Sequence, residues 1–219
     1  PAVFFPTSVA AADVDLDGDQ DLVSANAEGN NITFFLQSKP GSFQASPLVL
    51  GGSGLTDNPV SVVAADMDGD GDQDLVSANN LGNNLTVFFQ RSPGSFAVTP
   101  LTLGGFPTTN APTSVAAADL DADGDQDLVS ANGLGDNLTI FFQLLPGSFA
   151  SVPLTLGGSA TTSRPVSVAA TDLDGDGDQD VVSANVVGNN LTVFFQLSPG
   201  TFPPVSLTLG PSGSGPVSL

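Results

Sequence analysis

The stretch Ser8 to Asn26, SVAAADVDLDGDQDLVSAN, decides how the chain is read, because it returns three more times almost letter for letter. SVVAADMDGDGDQDLVSAN begins at Ser61, SVAAADLDADGDQDLVSAN at Ser114 and SVAATDLDGDGDQDVVSAN at Ser167, a constant period of 53 residues. Repetition at such a period marks an architecture in which each unit buries its apolar surface on the next. Four periods occupy nearly all of the 219 residues.

Working outward from that stretch, each unit reads as β structure. Ser8 to Ala12 and Leu22 to Asn26 are short strand-like runs on either side of an acidic segment. A turn with Gly29, Asn30 and Asn31 leads into a third strand expected over Ile32 to Gln37. Pro40 to Phe43, PGSF, then enters another turn, and a fourth strand is expected near Pro47 to Leu50, before Gly51 and Gly52. Turn residues at this spacing between β-branched and aromatic runs are an all-β signature. No apolar period of 3.6 residues runs long enough for a helix.

The third strand is apolar on both faces, with Phe34 and Leu36 alternating against Phe35, and so are its copies, for example Val87 and Phe89 against Phe88. A strand of this kind needs cover on both faces. The first strand is almost all Ala and Val, which suits a crowded position near an axis. Radial stacking of small sheets satisfies both demands. The expected fold class is therefore all-β: a beta-propeller built from four repeats of about 53 residues, each a four-stranded antiparallel blade. The blades are expected at approximately 6–52, 59–105, 112–158 and 165–210, within a single array spanning 1–219. Residues 211–219 read as a tail or the start of a further blade, since Pro216-Val217-Ser218-Leu219 resembles Pro165-Val166-Ser167-Val168. A straight solenoid is the rival arrangement.

Between the first and second strands lies D-x-D-x-D-x-D-x-D. The sets are Asp13, Asp15, Asp17, Asp19 and Asp21; Asp66, Asp68, Asp70, Asp72 and Asp74; Asp119, Asp121, Asp123, Asp125 and Asp127; and Asp172, Asp174, Asp176, Asp178 and Asp180. They hold 20 of the 23 acidic residues, and the remaining Glu28, Asp57 and Asp136 are matched by Lys39, Arg91 and Arg164. Five carboxylates in so short a turn repel one another unless a cation sits among them. Hard oxygen ligands at alternate positions around a glycine-enabled turn suit calcium better than magnesium. One ion per repeat, four per chain, is the expected cofactor content. Positions one, three, five and nine are the expected side-chain ligands and position seven a main-chain carbonyl ligand. Gly18, Gly71, Gly124 and Gly177 supply the sharp turn. The spacing begins like an EF-hand, but the twelfth position is Ser24, Ser77, Ser130 or Ser183 rather than Glu, and the ninth-position Asp is expected to take the bidentate role. The plain alternative is a solvated acidic turn.

Composition narrows the function. A net charge of -20 makes nucleic acid and anionic membranes unsuitable partners. No run of about 18 apolar residues suggests membrane insertion. There is no Cys for disulfide or thiolate chemistry, and no His, Tyr or Trp. Ser8, Ser24 and their copies have no evident base, and nearly every acid belongs to a loop. An enzyme is therefore not expected.

With repeat and loops in hand, the chain resembles the FG-GAP family and its bacterial VCBS-type relatives, calcium-binding beta-propeller repeats that include integrin alpha-chain head domains. The resemblance rests on the Asp-rich loop followed by L-V-S-A-N, a strand, and P-G-S-F. Gly41–Phe43, Gly94–Phe96, Gly147–Phe149 and Gly200–Phe202 stand loosely for the Phe-Gly half. It implies calcium at the loop positions named above and an extracellular or cell-surface location. Such propellers usually have seven blades, whereas four are present. A closed four-bladed ring, a homodimer completing an eight-bladed ring, and a segment of a larger parent all remain open.

The expected function is a calcium-stabilised extracellular module serving as a protein-interaction or adhesion scaffold. The alternative is a carbohydrate-binding, lectin-like propeller, so the partner is a protein or a glycan. Phe106, in the unrepeated loop GGFPTTNAP, is read as core rather than ligand contact. Asn26, Asn79, Asn132 and Asn185 are read as turn-stabilising rather than binding residues.

Overall fold

The computed structural model describes residues 3–210, so the proposed continuation at 211–219 lies outside the described residues. Every element among them is a strand. The first strands are Pro6–Ala12, Pro59–Ala65, Pro112–Ala118 and Pro165–Thr171, and the second are Asp21–Asn26, Asp74–Asn79, Asp127–Asn132 and Asp180–Asn185. The third are Asn31–Phe35, Asn84–Phe88, Asn137–Phe141 and Asn190–Phe194, and the fourth Leu48–Gly51, Leu101–Gly104, Leu154–Leu156 and Leu207–Leu209. In each repeat these four pair in chain order as an antiparallel meander. The fold is all-β, four repeats of one four-stranded sheet.

The third strand is shorter than its apolar run suggests. It stops at Phe35, and Gln37–Lys39 leaves the sheet to pair with Ser42–Phe43 in a separate two-stranded ribbon. Gln90–Ser92 with Ser95–Phe96 and Gln143–Leu145 with Ser148–Phe149 repeat this, and in the fourth repeat it contracts to a bridge between Ser198 and Thr201. The cause is a competing acceptor. The Gln37 N–H donates to Asp21 Oδ1 at 2.6 Å, which turns the chain away from the fourth strand. PGSF is thus the tip of a hairpin, with Gly41 at φ +76° supplying the turn.

The chain forms two compact units, one ending at Phe106 and one beginning at Pro107. In the first, the back of sheet one (Val14, Val23, Ile32, Phe34) packs on the front of sheet two (Val62, Leu75, Phe88). Phe34 also meets Phe96 edge to face, with ring centroids 5.5 Å apart. In the second, Leu120, Val129, Leu138 and Ile140 pack on Val168, Val181 and Phe194 in the same way. Each fully buried Phe or Leu contributes about 1.5–3 kcal/mol, so stacking rather than strand pairing alone holds the repeats together. The small residues of the first strands allow close approach. Thr7 Oγ1 donates to the Pro59 carbonyl and the Val62 N–H to Ser8 Oγ in one unit. Thr113 and Ser114 do the same toward Pro165 and Val168 in the other. Phe106, expected in the core, is 74% exposed, because it lies in the turn after the strand Leu101–Gly104 rather than on a sheet face.

Candidate metal centres

Each acidic segment closes the hairpin between first and second strands, whose last paired residues in the first repeat are Ala12 and Asp21. The turn is built by its own carboxylates. Asp13 accepts from the N–H groups of Asp17 and Gly18 at 3.1 and 3.0 Å, and Asp17 accepts from Asp19 at 2.9 Å. Asp66 and Asp172 accept from Gly71 and Gly177, and Asp119 from Gly124, so the first position always ties down the sixth. Gly18, Gly71, Gly124 and Gly177 all have φ between +92° and +99°, the left-handed backbone that the turn requires.

The ninth position faces inward. Asp21, Asp74, Asp127 and Asp180 have no solvent exposure. In every repeat one carboxylate oxygen accepts the N–H of loop position two, as from Leu120 to Asp127 at 2.8 Å. The other accepts the N–H of the glutamine after the third strand, as from Gln143 to Asp127 at 2.7 Å. With both oxygens engaged, this residue has one remaining lone pair on each to offer a cation. Burial holds the Asp74 and Asp127 carboxyls up, to about 6 and about 7, although the two N–H bonds pull the other way.

Among the described residues, carboxylate oxygen atoms converge at four places. Asp13, Asp15 and Asp17, and likewise Asp66, Asp68 and Asp70, present carboxylate oxygens within 4.8 Å of one another. Asp119, Asp121 and Asp127, and Asp172, Asp174 and Asp180, do so with the buried ninth residue included. The seventh-position residues Asp19, Asp72, Asp125 and Asp178 are not in these groups. Four oxygens at these places are buried without any hydrogen-bond partner: Oδ1 of Asp15, Asp68, Asp119 and Asp121. Burial, then neighbouring carboxylates, raises the carboxyls of Asp15, Asp68 and Asp121. Buried, unpartnered acceptors crowded by like charge fit a hard divalent cation, which supplies the missing partner and offsets the repulsion. In the second repeat Arg91 does part of this, with Nη1 3.7 Å from Asp68 Oδ2.

Two contributors escape a reading of the acidic spacing. Gln37, Gln90, Gln143 and Gln196 anchor the ninth Asp through their main chain, and their recurrence at the repeat period is the signal for them. The ribbon tip of the following repeat also covers the loop: Gly94 N–H donates to the Val14 carbonyl and Gly200 N–H to the Leu120 carbonyl. The recurring asparagines are structural, as expected. Asn79 Nδ2 donates to Asn84 Oδ1 and Thr86 Oγ1 while its Oδ1 accepts from Ser77, all inside the sheet. A cleft of about 330 Å³ lies between the third and fourth loops, lined by polar groups that include Asp119, Gln126, Asp178, Gln179 and Gln196.

Two solved structures set the fold in context. BBS1N in complex with ARL6DN, in a crystal soaked with lead, matches 96% of this chain over 59% of its own, at 16% identity and a TM-score of 0.57. A structure concerned with recognition of non-reducing terminal N-acetylglucosamine by an Agrocybe aegerita lectin matches 92% over 51%, at 21% identity and a TM-score of 0.59. The chain thus spans a little over half the length of these structures, and the likeness is one of propeller fold. No curated protein matches it in sequence. The FG-GAP-like repeat model matches residues 13–77, 66–130, 119–183 and 172–219, the first three matches running from one acidic loop into the next. On that coverage, the chain belongs to the FG-GAP-like repeat family.

Proposed function

We propose that this chain is a non-catalytic, calcium-stabilised interaction module working outside the cell or at its surface. The observation that carries the reading is the set of buried, unpartnered carboxylate oxygens inside the acidic loops. Positions one, three and five would hold the ion, with the ninth Asp behind them and position seven contributing its main-chain carbonyl. A bound calcium supplies positive charge that lets the loop carboxylates lie together. The loop residues then fix the hairpin ends, and the rigid sheets present their opposite ends to a partner. There the turns differ between repeats, and Leu81, Leu134 and Val187 are each more than half exposed. The chain has no His or Cys, and its acids are concentrated in the loops, which supports a binding rather than a chemical role.

Metal counting and melting test this together. About four calcium ions per chain are expected, with a melting temperature lowered by chelation. A melt unchanged in excess chelator, with no metal retained, would refute the calcium reading. A glycan-binding reading is second. The amide- and carboxylate-lined cleft between the third and fourth loops supports it, and the exposed Phe106 ring offers a stacking surface elsewhere. A glycan screen in calcium separates the two: hits lost on changing Gln126 and Gln179 favour the sugar, and silence favours a protein partner.

A further inference from the structure

In every repeat the glutamine after the third strand is tied by its N–H to the ninth carboxylate of its own loop, so the residue that follows it starts out beside that loop. That following position is Ser38, Arg91, Leu144 and Leu197 in the four repeats, and only the second places a charge there. The Gln90 N–H donates to Asp74 Oδ1 at 2.7 Å, and Arg91 turns back onto the same loop. Its Nη1 lies 3.7 Å from Asp68 Oδ2, and its guanidinium carbon 5.9 Å from the centre of the Phe89 ring. This is the only ion pair among the described residues, and both partners belong to the second repeat.

Asp68 is shared. Arg91 meets its Oδ2, while its Oδ1 is buried without a partner, and Asp68 stands in the group where Asp66, Asp68 and Asp70 bring carboxylate oxygens within 4.8 Å of one another. A guanidinium and a metal ion can therefore hold the two oxygens of one carboxylate. Each favours the carboxylates and each repels the other. The Arg91 side chain is 63% exposed, so the Phe89 ring steadies the guanidinium without burying it. At such a site, one fixed positive charge beside a divalent ion lowers its affinity roughly three- to tenfold, less as salt rises.

We propose that Arg91 is a tethered cation that competes with calcium at the second loop and stands in for it when calcium is scarce, an inference that rests on the calcium reading above. The second loop then stays ordered without the ion and takes it up at a higher calcium concentration than its carboxylates alone would require. In the third and fourth repeats Leu144 and Leu197, both more than half exposed, hold the same position without charge, so those loops depend on the ion alone. The chain thereby carries one loop whose calcium response is set apart from the rest by a single side chain.

Two measurements on the whole chain test this: calcium titration of demetallated protein against a chromophoric chelator, and melting in excess chelator. Arg91→Leu gives the second repeat the residue of the third and fourth, and Leu144→Arg moves the charge beside the third loop. Arg91→Leu is expected to tighten one calcium site roughly three- to tenfold at low salt, with a smaller gain near 0.15 M salt. Its metal-free melt should fall by about 2 °C, because the loop loses its only neutralising charge. Leu144→Arg should weaken one site by a similar factor and raise the metal-free melt. Opposite signs in the two readouts are the mark of competition. Unchanged binding constants in Arg91→Leu overturn the proposal, and so does a variant whose affinity and metal-free melt fall together, which would make Arg91 a brace only. Absence of calcium uptake by wild type and variants alike refutes the calcium reading as well, whereas uptake that ignores Arg91 sinks this inference alone. Circular dichroism checks the fold, and Arg91→Gln and Leu197→Arg serve as the second pair should either variant lose it.

Discussion

Asp74 and Asp127 sit without solvent exposure behind their loops, and burial raises their carboxyls from 3.8 to about 6 and about 7. In the metal-free protein this sets an unusual pH dependence. A group with a raised folded pKa favours the fold fully below its unfolded value near 4, and that contribution is lost as pH climbs through the folded value. Stability of the stripped protein should therefore fall between about pH 4 and about pH 7. At about 1.4 kcal/mol per pH unit, Asp74 accounts for about 3 kcal/mol and Asp127 for about 4 kcal/mol. Local relaxation and water entry reduce this, so a combined loss of about 3 kcal/mol is expected by about pH 8. Urea denaturation of exhaustively demetallated protein at about pH 4.5, 6 and 8 measures it through the midpoint. Saturating calcium should abolish or invert the trend, because a cation favours the ionised carboxylates. A stripped protein whose midpoint is flat or rises across that window would refute the reasoning.

Loop position four offers a test of backbone strain. Leu16 and Ala122 adopt φ +59° and +60° where the other repeats place Gly69 and Gly175. Leu16→Gly should raise stability by about 0.5 kcal/mol and Gly69→Leu lower it by about 1 kcal/mol, read as shifts in urea midpoint at constant slope. The asparagine network is a larger lever. Asn79→Ala leaves the buried Ser77 hydroxyl without its acceptor and removes the amide donor shared by Asn84 Oδ1 and Thr86 Oγ1, although Thr86 keeps its own bond to the Leu55 carbonyl. A loss of about 3 kcal/mol is expected, with a melting temperature lower by about 10 °C and calcium binding in the second loop retained.

The repeat period and the acidic loops were legible because both depend on local chemistry. Alternating Asp around Gly18 announces a carboxylate-lined turn wherever it occurs, and Phe34 beside Phe35 demands two covered faces. What escaped depends on partners distant in sequence. Gln37 leaves the third strand because of a carboxylate 16 residues earlier, which no propensity of ITFFLQ contains. Val9 and Val62 are the same letter in the same motif, yet one is 68% and the other 6% exposed, since burial is settled by the neighbouring sheet. Phe106 looked like core for its chemistry and is exposed for its place. The strain at Leu16 was legible in principle, because the repeat supplies its own comparison in Gly69 and Gly175.

Loop position two explains why an acidic turn recurs in a protein held together by stacked apolar sheets. Val14 and Leu120 lie between two carboxylates proposed as ligands, and their side chains are fully buried in the core shared with the next repeat. Their N–H groups donate to the ninth Asp, and their carbonyls accept from Gly94 and Gly200 of that next repeat. One residue therefore carries the loop's internal order, the apolar contact and the polar link between repeats. Any ligand that draws positions one, three and five together fixes position two as well, and with it the surface on which the following sheet packs. Repulsion among the carboxylates loosens the same residue. The acidic loop and the sheet interface are on this geometry one mechanical unit, so the charge state of the first and third loops bears directly on how firmly the two repeats within each unit are held.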